Sequence, residues 1–519
     1  MSPPRPLHDI VVVSDLHLGR GKNPETGRYH RLEAFFYDDD FHHFCADLVA
    51  GARTRGDRLK LVLNGDTFDL LRIEPEPDAP AAGAGHWPRY NQALIPAEAA
   101  TTVRHILDGH PLFVRGLAEI LAAGHEIVML PGNHDPEVQW EPVRDEVRRA
   151  LHAELLRGAG VGAGGAEVAQ RAIQGLRFES WFHHEPGRIW IEHGCQYDPE
   201  NAFKYPLRGA ATSLPDEVHR KEVDLPLGTF FQRYLYNTFG SITFIVPNSR
   251  SNFRYFRWLL LNRPRLLARV ATVHLPFLLQ ILRRLAKLPP SEESLRQAHE
   301  AELAELVGRS AVGERLHMVD QLKQVHGSAA LLARQITVRM VKATGYVLLT
   351  AVFAAALWFL GFHAISTMQA GFGFKALLFL TLNFLFLLGA VGAASYFLMR
   401  PAGIAEDPRM RRAAAKVADL ADVPIVTFGH SHEEVIARVK TQRGQPAWYF
   451  NTGTWIAVFT ADTLLPRERV QYTFLRVRGH TGELLHWSPG RREAAPVVLL
   501  EEDHHHGAES AHPPDVHAN

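Results

Sequence analysis

Ile10-Val11-Val12-Val13-Ser14-Asp15-Leu16-His17-Leu18-Gly19 is the stretch on which the fold turns, because an apolar run stops abruptly at a polar cluster. A short unbroken run of this kind reads as a strand buried on both faces, and the polar residues as the loop leaving its end. The same grammar recurs along the chain. Leu59–Leu63 runs into Asn64-Gly65-Asp66, and Glu126–Leu130 into Pro131-Gly132-Asn133-His134-Asp135. Arg188–Ile191 runs into Glu192-His193-Gly194, and Pro424–Phe428 into Gly429-His430-Ser431-His432. Strand-like runs alternating with longer mixed stretches predict an α/β layered domain whose chemistry sits on loops at the strand ends. Trp448–Phe450, Val470–Val477 and Glu483–Trp487 read as further strands of the same domain.

Taken singly these clusters say little, since Gly-Asp is a common turn pair and Asn-His-Asp an ordinary loop. Their joint occurrence, in order and each after a strand-like run, is specific. Asp15, His17, Asp66, Asn133, His193, His430 and His432 offer hard oxygens and borderline imidazole nitrogens without a thiolate. Such a set suits Mn, Fe or Zn. Seven donors exceed one tetrahedral ion but fit two ions that share a bridging carboxylate. A pair of ions about 3.5–4 Å apart can activate water and neutralise phosphoryl oxygens, the central need of phosphoester hydrolysis. His183 and His184 rival His193, which is preferred because it ends the Arg188–Ile191 run.

Asp15-x-His17, Gly65-Asp66, Gly132-Asn133-His134-Asp135, His193 and Gly429-His430-x-His432 together resemble the calcineurin-like metallophosphoesterase signature. The resemblance spans about Asp9 to Gly194 and Val423 to Trp487. It implies an α/β fold, a layered β-sandwich flanked by helices, with residues 1–200 and 400–500 as its two parts. It further implies that Asp15, His17 and His432 hold one metal, that Asn133, His193 and His430 hold the other, and that Asp66 bridges them. His134 would protonate the leaving oxygen, with Asp69 orienting it. Ser14–Gly19, Gly65-Asp66-Thr67-Phe68-Asp69 and Phe450–Trp455 are similar to bacterial UDP-2,3-diacylglucosamine hydrolases, which act on a lipid pyrophosphate. Many of those enzymes carry Arg where this chain has His134.

The segment between the two parts differs in character. Leu225 to Ser291 holds ten Arg/Lys and no Asp or Glu, including Phe253-Arg254-Tyr255-Phe256-Arg257-Trp258. Residues 201–342 therefore read as a basic helical insertion or cap. Within it, Val270–Leu282 is either an interfacial segment on anionic lipid or a cap over the site, and Ser291–Val325 is a charged helix or helix pair. Ala343–Phe362 and Ala376–Met399 are uncharged runs with Lys375 between them, reaching about 30 and 36 Å as helices, enough to cross a hydrocarbon core. Residues 343–399 are thus expected to form a transmembrane hairpin. Arg334, Arg339, Lys342, Arg400, Arg409, Arg411 and Arg412 flank it, which places both flanks in the cytoplasm.

Of 519 residues 46% are hydrophobic, enough for a sizeable core, and 56 Lys+Arg balance 56 Asp+Glu, so net charge singles out no partner. Cys45 and Cys195 are too few for a disulfide framework. The amino end carries no secretory signal pattern. Asp38-Asp39-Asp40 with His42-His43 reads as a solvated helix start. The tail 501–519, with His504-His505-His506, is expected to lack a fixed structure.

The expected function is dinuclear-metal hydrolysis of a phosphomonoester, phosphodiester or pyrophosphate on a phosphorylated small-molecule or lipid substrate. The expected setting is a multi-pass protein of the cytoplasmic membrane, its bilayer partner, with the catalytic domain in the cytosol. Two alternatives stand beside it. One is a nucleotide or nucleic-acid phosphodiesterase using the basic aromatic segment, disfavoured by the neighbouring hairpin. The other is a non-catalytic membrane scaffold, disfavoured by a complete donor set.

Overall fold

A computed structural model describes residues 8–73, 93–159, 163–216, 219, 225–237, 244–245, 264–285, 292–325, 329–399, 408–459, 470 and 472–498. The 501–519 tail and the Phe253–Trp258 text lie outside the described residues. The chain divides into two compact units, Met1–Ala329 with Glu406–Asn519, and Ala330–Ala405.

The first unit is mixed α/β with two principal sheets. In chain order its strands are β1 Asp9–Val13, β2 Leu59–Asn64, β3 Glu126–Leu130, β4 Leu176–Phe178, β5 Phe182–Glu185, β6 Ile189–Glu192 and β7 Phe244–Ile245. After the second unit come β8 Ile425–Phe428, β9 Glu434–Lys440, β10 Pro446–Thr452, β11 Val458–Phe459, β12 Thr473–Arg478, β13 Thr481–Ser488 and β14 Glu493–Pro496. One sheet runs β14-β13-β12-β1-β2-β3-β4, the other β5-β6-β8-β10-β9, and β7 pairs with β11.

The alternation of side chains across each strand builds the layers. Ile10, Val12, Val62 and Val128 of the first sheet meet Ile189, Ile191, Ile425 and Phe450 of the second in one buried cluster. The opposite face of the first sheet, with Val11, Val13, Leu61 and Leu63, packs on Phe41, Phe44, Phe113 and Leu117 of helices Asp38–Arg55 and Pro111–Ala122. The outer face of the second sheet, with Val426 and Phe428, packs on Met410, Ala414 and Val417 of helix Pro408–Ala421. Helices thus cover both outer faces, which is why central strands read as continuous apolar runs rather than alternating ones.

Helix Asp38–Arg55 begins on the three aspartates, as expected. Glu292–Arg309 and Arg315–Asp320 form the helix pair expected from Ser291–Val325. In Leu275–Leu285, Phe277, Leu278 and Ile281 are buried. Pro276 follows a π-helical turn, Val270–His274, where the hydrogen-bond pattern changes.

The second unit is a pair of helices, Ala329–Thr367 and Phe372–Met399. Within them Leu348–Thr367 and Phe372–Gly392, with mean hydropathy 2.0 and 2.1, are long and apolar enough to cross a membrane, and neither stretch is buried inside the chain. The boundaries correct the sequence reading. Lys375 belongs to the first turn of the second helix, its Nζ donating to Ser366 O at 2.9 Å, because Phe372 and Phe374 continue the helical pattern across it. Trp358 Nε1 donates to Asn383 Oδ1 at 3.2 Å and ties the two helices together.

A buried charge cluster fixes the loop that follows β1. The Glu33 carboxylate accepts the backbone amides of Gly19 at 3.0 Å and Gly21 at 2.5 Å, and lies 3.5 Å from His110 Nε2. His110 Nδ1 is 3.0 Å from Asp38. Burial alone would lower the His110 pKa, but these two carboxylates push it up to about 9. A raised histidine stabilises the fold fully below its unfolded value near 6.5, and that contribution is lost as pH rises through about 9. Replacing His110 by Gln should therefore cost about 2 kcal/mol more near pH 6 than near pH 9.5, measured by urea unfolding of both proteins. An equal cost at both pH values would show that the charge on His110 contributes nothing.

Candidate metal centre

Parallel pairing puts the ends of β1, β2 and β3 side by side, with Val13 opposite Leu63 and Leu63 opposite Met129. Asp15, Asp66 and Asn133 follow within a few residues on one edge. In the other sheet β6 and β8 are also parallel, Ile191 opposite Thr427, and they deliver His193, His430 and His432. The structure brings all nine residues singled out above into one buried neighbourhood, from Asp15 and His17 at 0% exposure to His134 at 9%.

The backbone at this edge is unusual. Asp15, His17, Asp66, His430 and His432 all have φ between 49° and 67°. Side chains other than glycine rarely adopt that left-handed region, at a cost of about 1–3 kcal/mol each. Specific bonds hold them there. Asp15 N donates to Gly65 O at 3.2 Å and His17 N to Asp66 O at 2.9 Å. The Thr454 hydroxyl donates to Asp15 O at 2.7 Å, and His430 N to Asp15 Oδ2 at 3.0 Å. His134 N donates to Asp66 Oδ1 at 2.8 Å. A Cβ on Gly132 would stand 2.1 Å from that same Oδ1, so only glycine fits.

Around Asp66 the donor atoms form two sets. On one side the Nε2 atoms of His17 and His432 are 3.0 Å apart, with Asp15 Oδ1 3.8 and 3.2 Å from them. On the other, His193 Nε2 is 3.1 Å from Asn133 Oδ1, and the His193 and His430 rings lie 5.4 Å apart. Asp66 Oδ2 reaches both, 3.8 Å from His17 Nε2 and 3.3 Å from His193 Nε2. The donor atoms of Asp15, His17 and His432, and those of Asp66, His193 and His430, each lie within 4.8 Å of one another.

Both the chemistry and the field suit cations. His193 Nδ1 donates to Asn64 O at 3.0 Å, which aims its Nε2 at the cluster, a ligand atom once its proton is displaced. Burial would lower the His17 and His193 pKa values, yet the surrounding Asp15, Asp66 and Asp69 push them up to about 10 and about 9. A pocket that draws protons so strongly onto imidazoles draws a divalent ion by the same field. For His432 burial outweighs the neighbouring Asp15 and lowers the value.

His134 stands at the rim of the set. Its Nδ1 is 2.9 Å from Asp69 Oδ1, while Asp69 Oδ2 is 3.5 Å from His17 Nδ1. Burial would raise the Asp69 carboxyl, but His134 and His17 hold it well below the usual carboxylate range. Asp69 therefore orients two histidines, one more than the sequence suggested. His183 and His184 fall in β5, away from the cluster; His183 bonds Glu179 at 3.0 Å.

Two contributors escaped the sequence reading. Asp135 accepts the amides of Gly132, Asp66, Thr67 and Phe68 at 2.6–3.1 Å and so ties the second and third loops together. Asp198 Oδ2 is 3.0 Å from His430 Nε2 and accepts from Asn201 Nδ2 at 2.6 Å. The signal for Asp198 was its place on the loop leaving β6, five residues after His193. A cleft beside the cluster is lined by Asn133, Trp140, Phe203, Arg208, Arg233 and Leu295. The Arg208 guanidinium lies 4.4 Å over the Phe203 ring.

Because His17 and His193 hold protons at neutral pH, an incoming ion must displace them. Affinity for Mn²⁺ should rise about tenfold or more per unit between roughly pH 6 and pH 8, with proton release. Calorimetry in two buffers of different ionisation enthalpy measures both, and a flat affinity would contradict the assignment of these two ligands. Compared with protein-family models and with curated proteins, the chain matches none, so the reading of this centre rests on its own geometry.

Proposed function

We propose that this chain is a two-metal phosphoesterase of the calcineurin-like kind, acting on a phosphoester of a membrane-proximal or lipid-linked substrate. The observation that carries this reading is the Asp66 carboxylate, set between two converging donor sets with an oriented histidine at their rim. Asp15, His17 and His432 would hold one ion and Asn133, His193 and His430 the other, with Asp66 shared. Manganese suits the oxygen-rich mixed set, with iron or zinc as substitutes. Such ions supply Lewis-acid charge for phosphoryl oxygens and acidify water.

The chain's own residues do the rest. Asp69 holds the His134 Nδ1 proton, so that Nε2–H faces a leaving oxygen as the general acid. Asp69, kept ionised by His134 and His17, in turn fixes the orientation of the His134 ring. His430 is held by Asp198 and His193 by Asn64 O, which fixes the ring planes before substrate arrives. In the adjacent cleft Arg208 and Arg233 offer positive charge, while Trp140, Phe203 and Leu295 offer apolar surface. That mixture suits an amphiphilic substrate, phosphate at the metals and an apolar substituent along the cleft. The two apolar helices support a membrane location, and the flanking Arg and Lys favour the cytoplasmic side for this unit.

Assayed in detergent with Mn²⁺, Asp66→Asn should lower kcat about a thousandfold or more on every substrate. His134→Ala should cost about a hundredfold or more on alkyl phosphates and much less on p-nitrophenyl phosphate, whose leaving group needs no proton. Uniform loss across leaving groups would remove His134 from the acid role. Arg208→Ala and Arg233→Ala should raise KM about tenfold for a lipid phosphate while leaving p-nitrophenyl phosphate turnover near wild type. An unchanged KM would sever the cleft from the substrate.

A further inference from the structure

The helix Pro408–Ala421 has a job on each face. Its inner face, Met410, Ala413, Ala414, Val417 and Ala418, is buried against the second sheet and against Leu316 and Val319 of helix Arg315–Asp320. Its outer face carries Arg409, Arg412 and Lys416, all exposed, at spacings that align them in one stripe. Arg411 flanks the stripe, its Nη2 donating to Arg438 O at 3.1 Å. The acidic end of the helix is engaged elsewhere: Asp419 accepts the amides of Gln442 and Arg443, and Asp422 pairs with Arg443 at 3.3 Å. Glu406 and Asp407 precede the helix, so the charge from Arg400 to Lys416 is still positive in balance.

Chain length restricts where this face can be. Residues 321–328 separate helix Arg315–Asp320 from the start of Ala329–Thr367, and residues 400–407 separate the end of Phe372–Met399 from Pro408. Each interval spans at most about 30 Å when fully extended. Helices Arg315–Asp320 and Pro408–Ala421 are therefore each joined to the apolar pair by a short stretch of chain. On so short a tether to a membrane-spanning pair, a basic stripe can reach a bilayer surface and its negative potential. The stripe itself carries no apolar centre of the kind a protein interface needs.

We propose that the Arg409, Arg412 and Lys416 face of helix Pro408–Ala421 docks the α/β unit on anionic phospholipid headgroups. The inference rests on the membrane reading of the hairpin and is independent of the catalytic one. Acylation of Lys416 by an uncharged amine-reactive ester, followed by mass spectrometry of the full chain in nanodiscs, reads the docked state directly. In phosphatidylcholine with about 30 mol % phosphatidylserine, Lys416 should react about fivefold more slowly than in phosphatidylcholine alone, and about 0.5 M salt should remove the difference. The Arg409→Gln/Arg412→Gln double variant should react alike in both lipids and remain inserted after a carbonate wash. Equal wild-type rates in the two lipids, or protection kept by the double variant, would overturn docking. Loss of the wild-type chain from washed vesicles would instead overturn the hairpin reading, and docking with it.

Discussion

Asp66 is held at φ 49°, in a backbone region unfavourable to its side chain, by contacts from two other loops. His17 N binds its carbonyl, His134 N binds its Oδ1, and Asp135 accepts its amide. Those contacts leave Oδ2 exposed to imidazoles from two different sheets. The remaining donors are placed relative to this carboxylate, so the centre is a property of the packed sandwich rather than of any one loop.

Packing and chemistry are coupled through the same atoms. Gly132 has no side chain because Asp66 Oδ1 occupies the space a Cβ would take. Asn64 ends β2 inside the first sheet, yet its side chain donates to Glu192 O and its carbonyl accepts from His193 Nδ1, so it fastens one sheet to the other at the ligand itself. Glu33 and His110 hold the loop beyond His17 through Gly19 and Gly21. Several left-handed residues, each costly, persist because these neighbouring bonds over-determine them.

The excess of negative charge is the second organising feature. Asp15, Asp66 and Asp69 are buried around His17, each with an oxygen within 3.8 Å of one of its ring nitrogens, and would repel if nothing positive were present. Raised histidines answer that field in the free protein, and the same field selects for cations. The two-helix unit follows a different rule, since its apolar stretches are not buried among the described residues.

The sequence by itself determined the strands β1, β2, β3, β6 and β8, the polar clusters that end them and the two long apolar helices. Each is encoded locally, by an unbroken apolar run and an abrupt polar stop. It also singled out Asp15, His17, Asp66, Asn133, His193, His430 and His432, because side-chain type alone restricts metal chemistry. Short strands such as β4, β5 and β14 were not legible, since three or four residues carrying charges show no period. Only the tertiary structure decided which atoms converge, that Asp69 serves both His17 and His134, and that Asp135 and Asp198 support the centre. It also buried Phe277, Leu278 and Ile281 of Leu275–Leu285. The reason is physical: contacts between residues hundreds of positions apart depend on sheet order and register, and no local pattern specifies those.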